Sequence, residues 1–145
     1  MKLSTLLHST PLSRDLGLLV LRIWIGLTMM PHGKMKLGML QGAETKFLAV
    51  LGLSPQISLM LAIAAELAGS MLLILGLLTR LSAGALAFTM GVAFFVAHKG
   101  SLDPKSAAGS GELALVYMAV YVALLVAGPG RFSFDALIGA TKPKA

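Results

Sequence analysis

The twenty-two residues from Ile57 to Leu78 carry a single charged side chain, Glu66, far from either end. As a helix this run is about 33 Å long, and a bilayer hydrocarbon core is about 30 Å thick. The run is therefore read as a membrane span. A lone ionised carboxylate near mid-depth costs a few kcal/mol or more, so the remaining segments must supply Glu66 with a partner.

Composition agrees with a membrane setting. The chain is 57% hydrophobic and 12% charged, with a mean hydropathy of +0.86, whereas soluble domains are about 25% charged. Its 145 residues make one integral membrane domain. The net charge of +6 is spread over interhelical and terminal segments with no interleaved stacking aromatics, a pattern of membrane-flanking cations rather than nucleic-acid binding. There is no cysteine, which excludes disulfides, thiolate metal sites and iron–sulfur clusters ligated by this chain. No metal site is expected, and no flavin or nicotinamide motif is seen. The first apolar run is long, starts late and lacks a small-residue cleavage pattern, which argues against a secretory signal peptide.

Periodicity predicts an all-α, four-helix membrane bundle with spans at 16–36, 57–79, 81–98 and 112–127. Ser13 is placed to cap the first span, and Pro31 predicts a kink near its far end. Arg80 is read as closing the second span. Between Gly38 and Pro55, the spacing of Phe47, Leu48 and Leu51 predicts a brief interfacial helix. Gly128-Pro129-Gly130 stops the fourth span, and Ser133 caps an amphipathic segment from Phe134 to Gly139. Four spans put both termini on one side, here side A. It carries six cations against five on side B, which favours side A as cytoplasmic.

Intramembrane polar groups usually pair inside the bundle. At about 1.5 Å per residue, Arg22 lies roughly 12 Å and Glu66 roughly 18 Å from side A. An Arg22–Glu66 ion pair is the leading expectation, although a buried pair can set helix register without any chemistry. His32, Lys36, His98 and Glu112 fall near side B as a polar cluster or ligand-binding group; the plainer reading is of helix-end anchors. Glu66 shares a face with Ala62, Gly69, Leu73 and Gly76. His98 shares one with Gly84, Ala87, Gly91 and Phe94 or Phe95, and Glu112 one with Val116, Ala119 and Ala123. Tyr117 and Tyr121 form an i, i+4 pair suited to packing. No residue is assigned as catalytic.

These residues carry a resemblance. Leu21-Arg22 with Gly26, His32-Gly33 and Lys36 resembles the first helix of the DoxX family, and Glu66-Leu67-Ala68-Gly69 with Leu75 to Arg80 resembles its second. Glu112-Leu113 and Gly128 to Asp135 are similar to its fourth helix and tail. The resemblance implies a small four-helix protein of the bacterial inner membrane, with Arg22, His32, Lys36, Glu66 and Glu112 as the family's polar positions. It also implies a redox context: a subunit associated with a quinol oxidase, thiosulfate–quinone oxidoreduction, or quinone and catechol resistance.

Three functions stay open. One is quinone or quinol binding, with His and Lys donating to carbonyls. The second is a non-catalytic scaffold or accessory subunit of a membrane oxidoreductase. The third is a small transporter or efflux component, with homodimers permitted by the small-residue faces. A bis-histidine haem on His32 and His98 is the lesser alternative.

Overall fold

The computed structural model describes residues 13–40 and 47–140, and every regular element among them is helical. Helix α1, Arg14–Met39, has 26 residues and is about 39 Å long. The Leu16 amide donates to Ser13 Oγ at 3.3 Å, and Asp15 sits in the first turn, where a carboxylate suits the positive end of the helix dipole. The helix continues through Pro31. Helix α2, Pro55–Leu75, has 21 residues, opening with a Ser54 cap and proline at its first turn. It contains a π-helical segment, Ala64–Gly69. Helix α3, Thr79–Ala97, has 19 residues, and its last turn, Ala93–Ala97, is again π-helical. Helix α4 is Glu112–Ala127 and α5 is Phe134–Ala140.

Helices α1, α2 and α3 are long and apolar enough to cross a membrane. The fourth has 16 residues and packs extensively along α3. Polarity is arranged for lipid rather than water. Trp24, Leu81, Phe88 and Val126 point outward, while Arg22, Glu66, Ser70, Thr79 and Ser82 are buried. Leu73, Leu86, Met90, Phe94, Tyr117, Tyr121 and Leu124 build the apolar centre.

Two boundaries differ from the sequence reading. The second helix ends at Gly76, which takes φ +70° as its C-cap, so Arg80 lies in the first turn of α3 instead of closing α2. The described part of the first connection, residues 47–54, is not helical. Leu51 and Gly52 take left-handed conformations, which interrupt a helix, and the Val50 amide is held by Ser58 Oγ at 3.1 Å. Residues 41–46 of that connection, and the terminal stretches 1–12 and 141–145, lie outside the described residues.

Side A is closed by the Gly128 to Asp135 segment. Asp15 Oδ1 accepts the Arg131 amide at 2.9 Å, Arg14 Nη2 donates to the Ala127 carbonyl at 3.1 Å, and Arg22 Nη2 donates to the Phe132 carbonyl. The Ser133 cap forms as the sequence predicts, accepting the Ala136 amide at 3.1 Å. Asp135 then accepts the amides of Leu78 and Thr79, both at 2.8 Å, and donates its own amide to the Gly76 carbonyl at 2.9 Å. It thereby caps α3 and braces Leu78, a non-glycine residue at φ +49°. Burial pushes the Asp135 carboxyl up, but the Thr79 and Leu78 amides and the Arg22 charge outweigh it and hold the group below its ordinary value. The Thr79 hydroxyl lies beside this carboxylate but outside hydrogen-bond geometry.

Candidate functional site

Glycines set the register between α1 and α2. A methyl group built on Gly33 would stand 2.8 Å from Leu67 Cγ and 3.0 Å from Glu66 Cβ, and one on Gly26 would stand 2.5 Å from Ile74 Cγ1. A methyl on Gly76 would overlap Arg22 Nη1 at 1.7 Å. Glu66 is therefore level with Gly33, and Arg22 is level with Gly76. Ten residues along α2 separate those levels, about 15 Å. The expected Arg22–Glu66 pair does not form. Helix α1 starts at Arg14 and extends beyond α2 on side A, so equal counts from the span ends are not equal depths.

Lys36 takes the place assigned to Arg22. It lies one turn beyond Gly33 on α1, and its Nζ donates to Glu66 Oε1 at 2.6 Å and Oε2 at 2.7 Å. The Glu66 side chain is fully buried and that of Lys36 is 20% exposed. In a low-dielectric interior neither charge is stable alone, and the pair neutralises both. The missing Gly33 side chain makes this possible, because it lets α2 approach closely enough for a lysine stem to reach the carboxylate. Glu66 does share its buried face with Ala62, Gly69, Leu73 and Gly76, as its helical spacing indicates.

A cavity of about 820 Å³ opens beside this pair. Leu61, Ala62 and Ala65 of α2 form one wall, and Ala85, Phe88, Thr89 and Val92 of α3 form the other. Phe47, Leu48, Val50, Leu51 and Leu53 of the first connection cover its side-B end. Charged or titratable lining comes from Lys36, Glu66 and His98, and Ser58 adds a hydroxyl. Both π-helical segments contribute, Ala65 and Glu66 from one and Ala93 and Ala97 from the other. Such segments insert an extra residue into a helical turn and are frequent at functional sites. Exposed Leu61 and Phe88 at the rim open the cavity sideways, toward the lipid.

The other side-B candidates separate. His98 lines the cavity and has Nδ1 2.9 Å from the Ala108 carbonyl oxygen. His32 instead meets Tyr117 edge-on, with ring centroids 6.0 Å apart, and is not part of the cavity wall. Glu112 is exposed, as are Val116, Ala119 and Ala123. The inward face of α4 is Ala114, Tyr117, Tyr121 and Leu124; the expected Glu112 stripe faces outward because small residues alone do not distinguish a lipid-facing stripe from a packed one. Tyr117 and Tyr121 stack at 6.0 Å, and the buried Tyr121 hydroxyl has no hydrogen-bond partner among the described residues. On α3 the inward aromatic is Phe94, while Phe95 is exposed. The sequence marks Phe47, Leu48 and Leu51 as an interfacial helix and not as a cavity cover, and it does not mark Ser58. The one available signal was Ser54-x-x-x-Ser58, a second hydroxyl one turn after the cap.

Apolar outer faces, buried charges and three membrane-length helices define a multi-pass helical membrane protein. The chain belongs to the DoxX family, whose model matches residues 17–99. That stretch contains Lys36, Glu66 and His98, while α4 and the tail lie beyond it. An uncharacterized protein of Haemophilus influenzae is 41% identical over 80 residues, covering 53% of this chain and 59% of the relative. The chain thus spans under two thirds of that relative's length. No solved structure matches.

Proposed function

We propose that the cavity between α2 and α3 binds the headgroup of a membrane-soluble quinone-type carrier, and that the chain is a redox-associated binding subunit of the bacterial inner membrane with side A in the cytoplasm. The observation that carries this reading is the convergence of Lys36, Glu66 and His98 on one largely apolar cavity of about 820 Å³. Sites for small amphiphiles are typically about 300–1,000 Å³, mostly apolar, with a few placed polar groups. The Lys36 ammonium uses two of its three protons on Glu66, leaving one N–H for a carbonyl oxygen. Because the pair is neutral overall, a neutral dipolar headgroup suits it better than an anion, which would compete with Glu66 for Lys36. Binding, not turnover, is the role assigned.

The test is mass spectrometry of lipids retained by the purified protein. Wild type is expected to retain quinone above the level of its surrounding detergent, and the Lys36→Met/Glu66→Gln double variant to lose it. A folded wild type that retains no quinone, and takes up none on titration, would remove this reading.

A further inference from the structure

The hydrogen bond of His98 fixes what the cavity offers a ligand. A backbone carbonyl can only accept, so the His98 Nδ1 atom 2.9 Å from the Ala108 oxygen must carry a proton. In the neutral ring the other nitrogen, Nε2, is then a bare lone pair. The contact is held from both sides. His98 follows the π-helical turn Ala93–Ala97, and its amide donates to the Ala93 carbonyl at 3.0 Å. Ala108 lies in a loop tied back by the Gly111 amide to the Ser101 carbonyl at 2.7 Å. Gly111 has no room for a side chain, since a methyl there would stand 2.6 Å from Phe94 Cδ2 and 3.0 Å from His98 Cβ. Ala108 is thus a positioning residue, and its main chain sets the tautomer of His98.

Two of the polar groups in the lining are unlike. Lys36 retains one N–H after its two bonds to Glu66 and can only donate. His98 Nε2 in this tautomer can only accept. A ligand that satisfies both needs an oxygen acceptor and an O–H donor on a lipophilic body. Resting on the binding reading above, we propose that this cavity prefers the hydroxyl-bearing form of such an amphiphile, a phenolic O–H donating to His98 Nε2 and its oxygen lone pair accepting from Lys36, so that a quinone, which offers Lys36 a carbonyl but His98 no proton, binds more weakly than its reduced form. The corresponding methyl ether can accept but cannot donate, and it covers the His98 lone pair without pairing it, which disfavours its binding.

Two probes with equal tails test this: 4-heptylphenol and 1-heptyl-4-methoxybenzene, titrated into the full chain in lipid nanodiscs, with bound ligand counted by native mass spectrometry. The phenol is expected to bind about tenfold or more tightly than the ether, because only the phenol pairs the His98 acceptor. His98→Phe should bring the two affinities together. Nitrogen-15 spectra of histidine-labelled wild type supply a readout that needs no variant. His98 should be the Nδ1–H tautomer, with its Nε2 resonance moving on addition of phenol and not of ether. Equal affinities for wild type, a preference that survives His98→Phe, or an Nε2–H tautomer would overturn the inference while the cavity still binds amphiphiles. Binding of neither probe by folded protein would overturn the inference and the binding reading together.

Discussion

Taking away Lys36 strands a carboxylate that has no route to water. Glu66 is fully buried, so Lys36→Met should destabilise the protein by about 3–5 kcal/mol, the usual cost of leaving one member of a buried pair uncompensated. Glu66→Gln should cost less, because the partly exposed Lys36 can turn its ammonium away from the interior. The double variant should be more stable than the sum of the single losses implies, and a double-mutant cycle from thermal denaturation in detergent measures that coupling. The same cycle on Arg22 and Glu66 should be additive, since the two lie about 15 Å apart along the bundle. Glu66 is identifiable from the chain alone, because one carboxylate in a span-length apolar run has to be paired. Its partner is not. Arg22 and Lys36 both lie on α1, and the choice between them depends on how far α1 overhangs α2, which is fixed by the close approaches at Gly26 and Gly33.

At the scale of elements, the tail motif from Gly128 to Asp135 holds the side-A ends together. Asp135→Asn keeps the shape but removes the charge at the start of α3, and should cost about 0.5–2 kcal/mol, as for loss of a helix cap. Its pH signature has a definite sign. The Asp135 carboxyl lies below its ordinary value in the folded protein. It therefore contributes stability that is complete above the unfolded pKa of about 4 and lost as pH falls through the lower folded value. Thermal scans at a series of pH values should show wild type converging on Asp135→Asn in acid; a constant gap between them would contradict the role. Gly76→Ala should be worse than the cap variant, since it adds a Cβ at φ +70° against the Arg22 guanidinium. The helices and the Ser13 and Ser133 caps are legible from periodicity and capping chemistry. The two π-helical segments could not, because an extra residue in a turn leaves the apolar pattern on both sides intact. Those segments frame the cavity, so the site was less legible than the fold.

For the whole molecule, four glycines are used at contacts between helices. Gly26 and Gly33 bring α1 onto α2, Gly84 faces Leu125, and Gly91 faces Met118. The bundle closes around Met29, Leu86 and Tyr121 and leaves an opening sideways between α2 and α3, where a ligand would enter from lipid. The side opening and the neutral Lys36–Glu66 pair together suit a membrane-dissolved, uncharged compound. The most direct test is photolabelling in nanodiscs with a photoreactive quinone analogue, followed by peptide mass spectrometry. Labels should concentrate on residues 47–53 of the first connection and on 85–97 of α3, and excess unmodified quinone should suppress them. Labels confined to outward residues such as Trp24 and Leu27 of α1, or labels that excess quinone does not reduce, would contradict the account.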